Sequence, residues 1–135
     1  MLVHAVLAAA FALTSPAFHD GGRIPVRYTC DGTGVSPPLR WTAPPRGTTS
    51  LTLTVTDPDA PGGNFVHWRA SGISPGARAL RQGQHAPKEG LNSANGKGWT
   101  GPCPPSGTHR YVFVLKAYAG KRVVATARLV GRYSR

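Results

Sequence analysis

Acidic side chains are scarce in this sequence. Five appear in 135 residues, Asp20, Asp31, Asp57, Asp59 and Glu89, against sixteen Lys and Arg, for a formal net charge of +11. A surface with that imbalance attracts polyanions and anionic head groups. The basic residues are scattered, however. Arg78, Arg81, Lys88, Lys97 and Arg110 never form a dense run, and no nucleic-acid motif accompanies them. A solvated basic surface is therefore the plainer reading. Cysteine is limited to Cys30 and Cys103, whose spacing fits neither a zinc nor a redox motif. Two lone thiols are most often buried and inert. A long-range disulfide is the sharper alternative, and it implies an oxidising compartment. No H-x-H or H-E-x-x-H spacing occurs. No apolar run reaches the roughly 20 residues that a membrane span needs. No segment carries the period of a long amphipathic helix.

What is abundant is turn chemistry. The chain has 17 Gly and 13 Pro without a Gly-X-Y period, which excludes collagen and favours a loop-rich β protein. Its length suits one domain with one modest core. Ser50 to Thr56, S-L-T-L-T-V-T, alternates Leu51, Leu53 and Val55 with threonines and reads as a strand. Phe65 to Ser71 is a second strand, after the turn D-P-D-A-P-G-G. Arg110 to Tyr118 is apolar on both faces and reads as a central strand. Arg23 to Thr29 is a weaker strand, and Val123 to Tyr133 reads as a helical turn running into a last strand. Gly72 to Gly98 lacks a period and reads as a long surface loop. Strands without helical alternation predict an antiparallel β-sandwich.

The N-terminus admits two readings. Met1 to Leu13 is almost entirely apolar, and Ala10-Phe11-Ala12 fits a small-x-small cleavage site, as in a signal peptide. No Lys or Arg precedes the apolar run, and the run is short. The rival reading is a first strand from Phe11 to Phe18 behind an apolar extension. Residues 1–12 are accordingly an extension or signal-like segment, and 11–135 the domain. The apolar run is too short to be a membrane anchor.

Three places can carry chemistry. Asp57-Pro58-Asp59 concentrates two of the five acids, and Pro58 restricts Asp57 at a strand end. Asx turns explain the same residues without function. His67 follows in an apolar strand, where a histidine is more often a satisfied core residue than a functional one. Third, the stiff stretch Gly101 to Gly107 leads into His109-Arg110-Tyr111, and alternation puts His109 and Tyr111 on one face.

Together these match a family. D-P-D-A-P, then H-W, then G-P-C-P-P-S-G-T-H-R-Y, in that order, resembles the phosphatidylethanolamine-binding protein (PEBP) family and its bacterial Raf-kinase-inhibitor-like branch. L-T-S-P-A-F (13–18), Y-T-C-D-G (28–32), S-P-P-L-R-W (36–41) and A-R-L-V-G-R-Y-S-R (127–135) extend the resemblance from about Phe11 to the end. It implies a mostly-β, PEBP-like antiparallel sandwich with few short helices and a small pocket at one end. That pocket takes phosphate, acetate or a phosphoethanolamine head group. Asp57, Asp59, Pro61, His67, Gly101, Pro105, His109 and Tyr111 match its lining. Arg110 takes a structural role with Asp59 as its partner, neutralising a buried charge. The resemblance also implies that Cys30 and Cys103 pair, because both stand in stiff loops of the family pattern.

The function implied is non-enzymatic binding of small anions or phospholipid head groups, with regulation of a kinase or protease partner and a homodimer as further implications. No cofactor, catalytic residue, metal or specific nucleic acid is expected, and an extracytoplasmic location is favoured over a cytoplasmic one. The alternatives are a metal-dependent hydrolase using Asp57, Asp59, His67 and His109, whose side chains suit a metal, and a basic nucleic-acid binder stacking bases on Trp41, Trp68 and Trp99. One departure from the family stands out. Only Gly120, Lys121 and Arg122 separate the central strand from the closing one, where the family has a helical segment, so one wall of the pocket is expected to be open.

Overall fold

The computed structural model describes residues 10–135. The apolar N-terminal extension lies almost wholly outside the described residues; of the first strand expected from Phe11 to Phe18, only Leu13–Thr14 is strand. Among the described residues, eight strands form two antiparallel sheets. A five-stranded sheet runs in the order β6 (Lys88–Glu89), β4 (Phe65–Ile73), β3 (Ser50–Asp57), β7 (Thr108–Ala119) and β8 (Arg122–Ser134). A three-stranded sheet of β1 (Leu13–Thr14), β2 (Leu39–Trp41) and β5 (Ala79–Leu80) supplies the second layer. The mostly-β antiparallel sandwich is thus the observed fold. Among the described residues the helical content is one three-residue 3-10 turn, Val26–Tyr28, and no helix is long and apolar enough to cross a membrane.

The S-L-T-L-T-V-T alternation becomes β3, with Leu51, Leu53 and Val55 fully buried and the threonines half-buried on the other face. In the register with β7, Leu53 faces Leu115 and Val55 faces Phe113. Phe113 lies 5.7 Å from the Phe18 ring and 6.1 Å from Trp99. Leu39, Trp41 and Leu80 of the small sheet join the same apolar cluster. At about 25 cal/mol per Å² of apolar area, burial of this kind is the dominant stabilising term.

Three further segments differ from the sequence-based expectation. Arg23 to Thr29 is a single bridge, Arg23 to Arg132, followed by the 3-10 turn. Pro25 at its head removes the donor a strand would need. Val123 to Tyr133 holds no helical turn. It is continuous strand, because β8 pairs with β7 along its whole length and tertiary pairing overrides the weak local pattern. The loop from Gly72 to Gly98 contains β5 and β6, each two residues long and too short to show a period.

β7 and β8 are joined by the two-residue turn Gly120-Lys121, at the opposite end of β7 from His109 and Tyr111. At the other end, the segment Asp20 to Ile24 lies along β8, with Ile24 N–H donating to Arg132 and Arg132 N–H to Gly22. Asp20 also accepts the Val130 amide. Gly131 makes this close approach possible. A Cβ there would sit 2.5 Å from Ile24 Cγ1 and 2.9 Å from Phe18 Cε2.

Gly131→Ala should therefore overpack the core and destabilise by about 1–3 kcal/mol. Thr126→Ala, on the exposed face of the same strand, should stay within about 0.5 kcal/mol of the parent. Urea denaturation at constant m-value reads the difference. Equal midpoints for the two variants would mean that the Phe18–Ile24 segment does not press on β8.

Candidate functional site

β3 ends at Asp57, a carboxylate only 3% exposed. Each of its oxygens has a task. Oδ1 accepts the Asp59 amide at 2.8 Å, which is the Asx turn. Oδ2 accepts His109 Nδ1–H at 2.6 Å. The turn and the site thus share one side chain. Asp59 points elsewhere, accepting from Arg110 Nε at 3.0 Å, Nη2 at 2.8 Å and the Arg110 amide at 2.9 Å. These hydrogen bonds hold the Asp59 carboxyl well below the usual carboxylate range, the Arg110 guanidinium being the main cause. The Arg110 side chain is 53% exposed, so the pair orders the turn and compensates no buried charge.

β4 carries a bulge at this end. Val55 faces Trp68 but Thr56 faces Val66, so His67 is an extra residue in the ladder. A bulge re-aims a side chain, and here consecutive residues, His67 and Trp68, are both buried. His67 Nδ1 lies 2.7 Å from the Thr100 carbonyl, and the Thr100 amide donates to the His67 carbonyl at 2.9 Å. The Pro-rich loop is thereby fixed at its start. Burial pushes the His67 imidazole below its ordinary range, against the opposing effects of the Thr100 hydrogen bond and Asp57.

The loop is held at two further points. Cys103 is disulfide-bonded to Cys30, and the Cys30 amide donates to the Pro102 carbonyl. Gly107 and Arg135 exchange two backbone hydrogen bonds. Gly101 does not line the cavity. A Cβ there would sit 2.8 Å from the Tyr28 carbonyl oxygen, so glycine lets the loop pack on the Tyr28–Thr29 backbone. Asp31, beside Cys30, accepts the Tyr133 hydroxyl at 2.6 Å and pairs with Arg135.

These elements enclose a cavity of about 290 Å³ lined by Asp57, Ala60, Pro61, Phe65, His67, Cys103, Pro104, Pro105, His109 and Tyr111. Six of the eight residues singled out in the sequence meet here; Asp59 and Gly101 support the walls. Of the other four, Ala60, Phe65 and Pro104 are not among the residues singled out, and Cys103 is expected only as half of the disulfide. Three of them stand inside the quoted motifs, whereas Phe65 carries no signal beyond its place in a strand. The short β7–β8 connection is at the far end of β7 and contributes nothing to this lining.

Tyr111 is fully buried, and among the described residues its hydroxyl has no hydrogen-bond partner. Burial, followed by Asp57, Asp59 and Tyr133, raises its pKa, so it stays a neutral donor. A buried donor without a partner costs about 1–3 kcal/mol. Among the described residues no three His, Cys, Asp or Glu side chains gather round a point that could hold a metal. Trp41 and Trp68 are buried and offer no face for a base to stack on. Gly72-Ile73-Ser74-Pro75-Gly76 has the G-x-S-x-G spacing of a nucleophile elbow. Ser74, however, sits in a turn after β4, accepts the Gly76 amide, and is followed by no helix.

Fold and site define a class: a small β-sandwich domain with a compact cleft, furnished by His, Asp and Tyr, at one end. The chain belongs to the phosphatidylethanolamine-binding protein family, whose model matches residues 14–132. The UPF0098 protein of Methanothermobacter thermautotrophicus is 38% identical over 149 aligned positions, covering 91% of this chain and 98% of that protein. The alignment is longer than this chain, so the archaeal relative carries segments absent here. LppC, a candidate lipoprotein of Mycobacterium tuberculosis, is 47% identical over 108 residues, 76% of this chain and 53% of LppC. The chain thus spans about half the length of the mycobacterial relatives it matches. Among solved structures, the PEBP homologue CT736 of Chlamydia trachomatis superposes with a TM-score of 0.90 at 36% identity, covering 95% of this chain and 99% of that one. Escherichia coli YbcL gives 0.87 at 26% identity, covering 94% and 99%.

The disulfide closes a loop across 73 residues. In the chain-entropy model such a link contributes roughly 4 kcal/mol. Denaturation with and without reductant, and of Cys30→Ser, should show a loss of that order in both cases. Unchanged stability on reduction would show that the Pro-rich loop is held by its hydrogen bonds alone.

Proposed function

We propose that the protein binds small phosphate-type anions, free or as a phosphorylated head group such as phosphoethanolamine, and that it does so without catalysis. The observation that carries this reading is the convergence of His109, His67 and Tyr111 on one cavity of head-group size. His109 is the principal anion contact. Asp57 holds its Nδ1–H, which leaves Nε2 without a hydrogen-bond partner among the described residues. When protonated, that ring presents a second N–H to the cavity with Asp57 as its counter-ion. The Tyr111 ring forms part of the cavity lining, with its hydroxyl shielded behind it. The carboxylate of Asp57 is consistent with an anion site because both its oxygens are already engaged.

Binding rather than turnover is supported by what the candidate nucleophiles do. Both cysteines are in the disulfide, and Ser74 is in a turn. An extracytoplasmic location is supported by the same disulfide, since such bonds persist in oxidising compartments, and by the relative LppC, whose name describes a candidate lipoprotein.

Titration calorimetry with inorganic phosphate and phosphoethanolamine tests the reading. A charge-assisted hydrogen bond is worth roughly 1.5–3 kcal/mol, so His109→Ala should weaken binding about tenfold or more. Unchanged affinity in His109→Ala, with the fold intact by circular dichroism, would remove His109 from the site.

A further inference from the structure

The two faces of the large sheet differ in what covers them. Among the described residues, the elements outside that sheet are the small sheet and the 3-10 turn. Both are committed to the core face, through Leu13, Leu39, Trp41, Leu80 and Tyr28. No strand or helix is left over to pack on the opposite face.

Strand pairing lays that opposite face out in rows. Val66, Thr56, Val112 and Val130 stand side by side across β4, β3, β7 and β8. The next row is Arg69, Thr54, Val114 and Arg128, and beyond it lie Thr52, Lys116 and Thr126. Along β3, β7 and β8 the residues between them are the buried ones, so alternation turns these side chains away from the core. An antiparallel sheet can leave one face to water, and that face then reads polar. Here the centre is valine and threonine methyl, the margins are cationic, and no acid stands in any of the three rows. Among the described residues no carboxylate lies within ion-pair distance of Arg69, Lys116 or Arg128.

The spacing of the cations defines what fits. Arg69 and Arg128 are three strand intervals apart, about 14 Å at about 4.8 Å each. An α-helix with its side chains is about 10–12 Å across. A helix lying along β3 and β7 sets an apolar stripe of i, i+3, i+4 and i+7 residues on the valines, and its two flanks beside the two guanidinium groups. We propose that this face of the large sheet is a docking site for an amphipathic helix of a partner protein, one whose apolar stripe is flanked by carboxylates. A second copy of the chain is a poor occupant, because an isologous contact brings the same cations together with no acid between them. A lipid surface is disfavoured as well. Apolar groups that enter a bilayer interface must protrude into it, and these valines are half-buried between longer side chains. The exposed large apolar residues, Val26, Leu91 and Val123, belong to none of the three rows.

The test uses labelled synthetic peptides of about 20 residues, long enough to form a helix when docked. One carries leucine at the a and d positions of its heptads and glutamate on both flanks. A second has lysine in place of glutamate, and a third is the acidic sequence scrambled. Fluorescence anisotropy with the intact protein should show the acidic helix binding at least about tenfold more tightly than either control. The double variant Arg69→Glu/Arg128→Glu, at two exposed positions, should reverse the order, so that the lysine peptide binds the more tightly. Val114→Asn leaves the charge unchanged and should weaken the acidic helix about tenfold. Circular dichroism checks the fold of each variant, and the three-peptide comparison on the parent protein needs no variant. Equal binding of the acidic and scrambled peptides would reduce the contact to charge attraction and overturn the docking site, as would no binding at all. Cosedimentation with phosphatidylglycerol vesicles that the double variant abolishes, without helix binding, would overturn it in favour of a lipid surface. A parent dimer that the double variant dissociates would overturn it in favour of a second copy.

Discussion

A buried carboxylate holds the functional end of this molecule together. Taking Asp57 out of water costs several kcal/mol unless its oxygens are paired. Its two partners lie 2 and 52 residues away, the Asp59 amide and the His109 ring. The turn after β3 and the start of β7 can therefore reach their final geometry only together. The position of His109, and with it one wall of the cavity, follows from that pairing. Removal of the carboxylate would release both elements at once.

The facing wall is held with comparable redundancy. The Pro-rich loop is fixed by hydrogen bonds between Thr100 and His67, by the covalent link from Cys103 to Cys30, and by the Gly107–Arg135 pair. Four of its seven residues, Gly101 to Gly107, are Pro or cystine-bonded Cys. Such a loop loses little conformational freedom when a ligand arrives, so affinity is spent less on ordering. The wall is also tied to the last strand through Asp31, which receives Tyr133 and Arg135.

The long strands β3, β4 and β7 of the large sheet were legible because they obey simple periods. Leu51, Leu53 and Val55 announce β3, and the His109–Tyr111 alternation correctly puts both rings on the core side. The small sheet was not legible. Its strands have two or three residues, fewer than one period-two pattern needs, and they exist only because the large sheet offers an apolar face to cover. The helical turn expected near Val123 failed because V-V-A-T-A-R suits either state, and pairing with β7 decides. At the site, the ordered motifs located six lining residues. The bulge at His67 could not be foreseen, since it is set by register against β3 and not by composition. The partnerless hydroxyl of Tyr111 likewise depends on what packs around it. Asp57 was legible as a turn residue and as a site residue, and it is both.

All five acids are engaged within the fold. Asp20 receives the Val130 amide, Asp31 the Tyr133 hydroxyl, Asp57 the His109 ring, Asp59 the Arg110 fork, and Glu89 the Trp68 indole together with His85. Acids that are spent on internal contacts leave little negative charge to interrupt the positive surface. The electrostatic potential outside the molecule therefore has one prevailing sign, and it extends about 8 Å into solution at physiological ionic strength. An anion diffusing nearby is drawn inward before it meets any particular residue. For the anion ligand proposed above, the encounter rate inherits a steep dependence on salt, whereas residence in the cavity, set by short contacts, depends on salt far less.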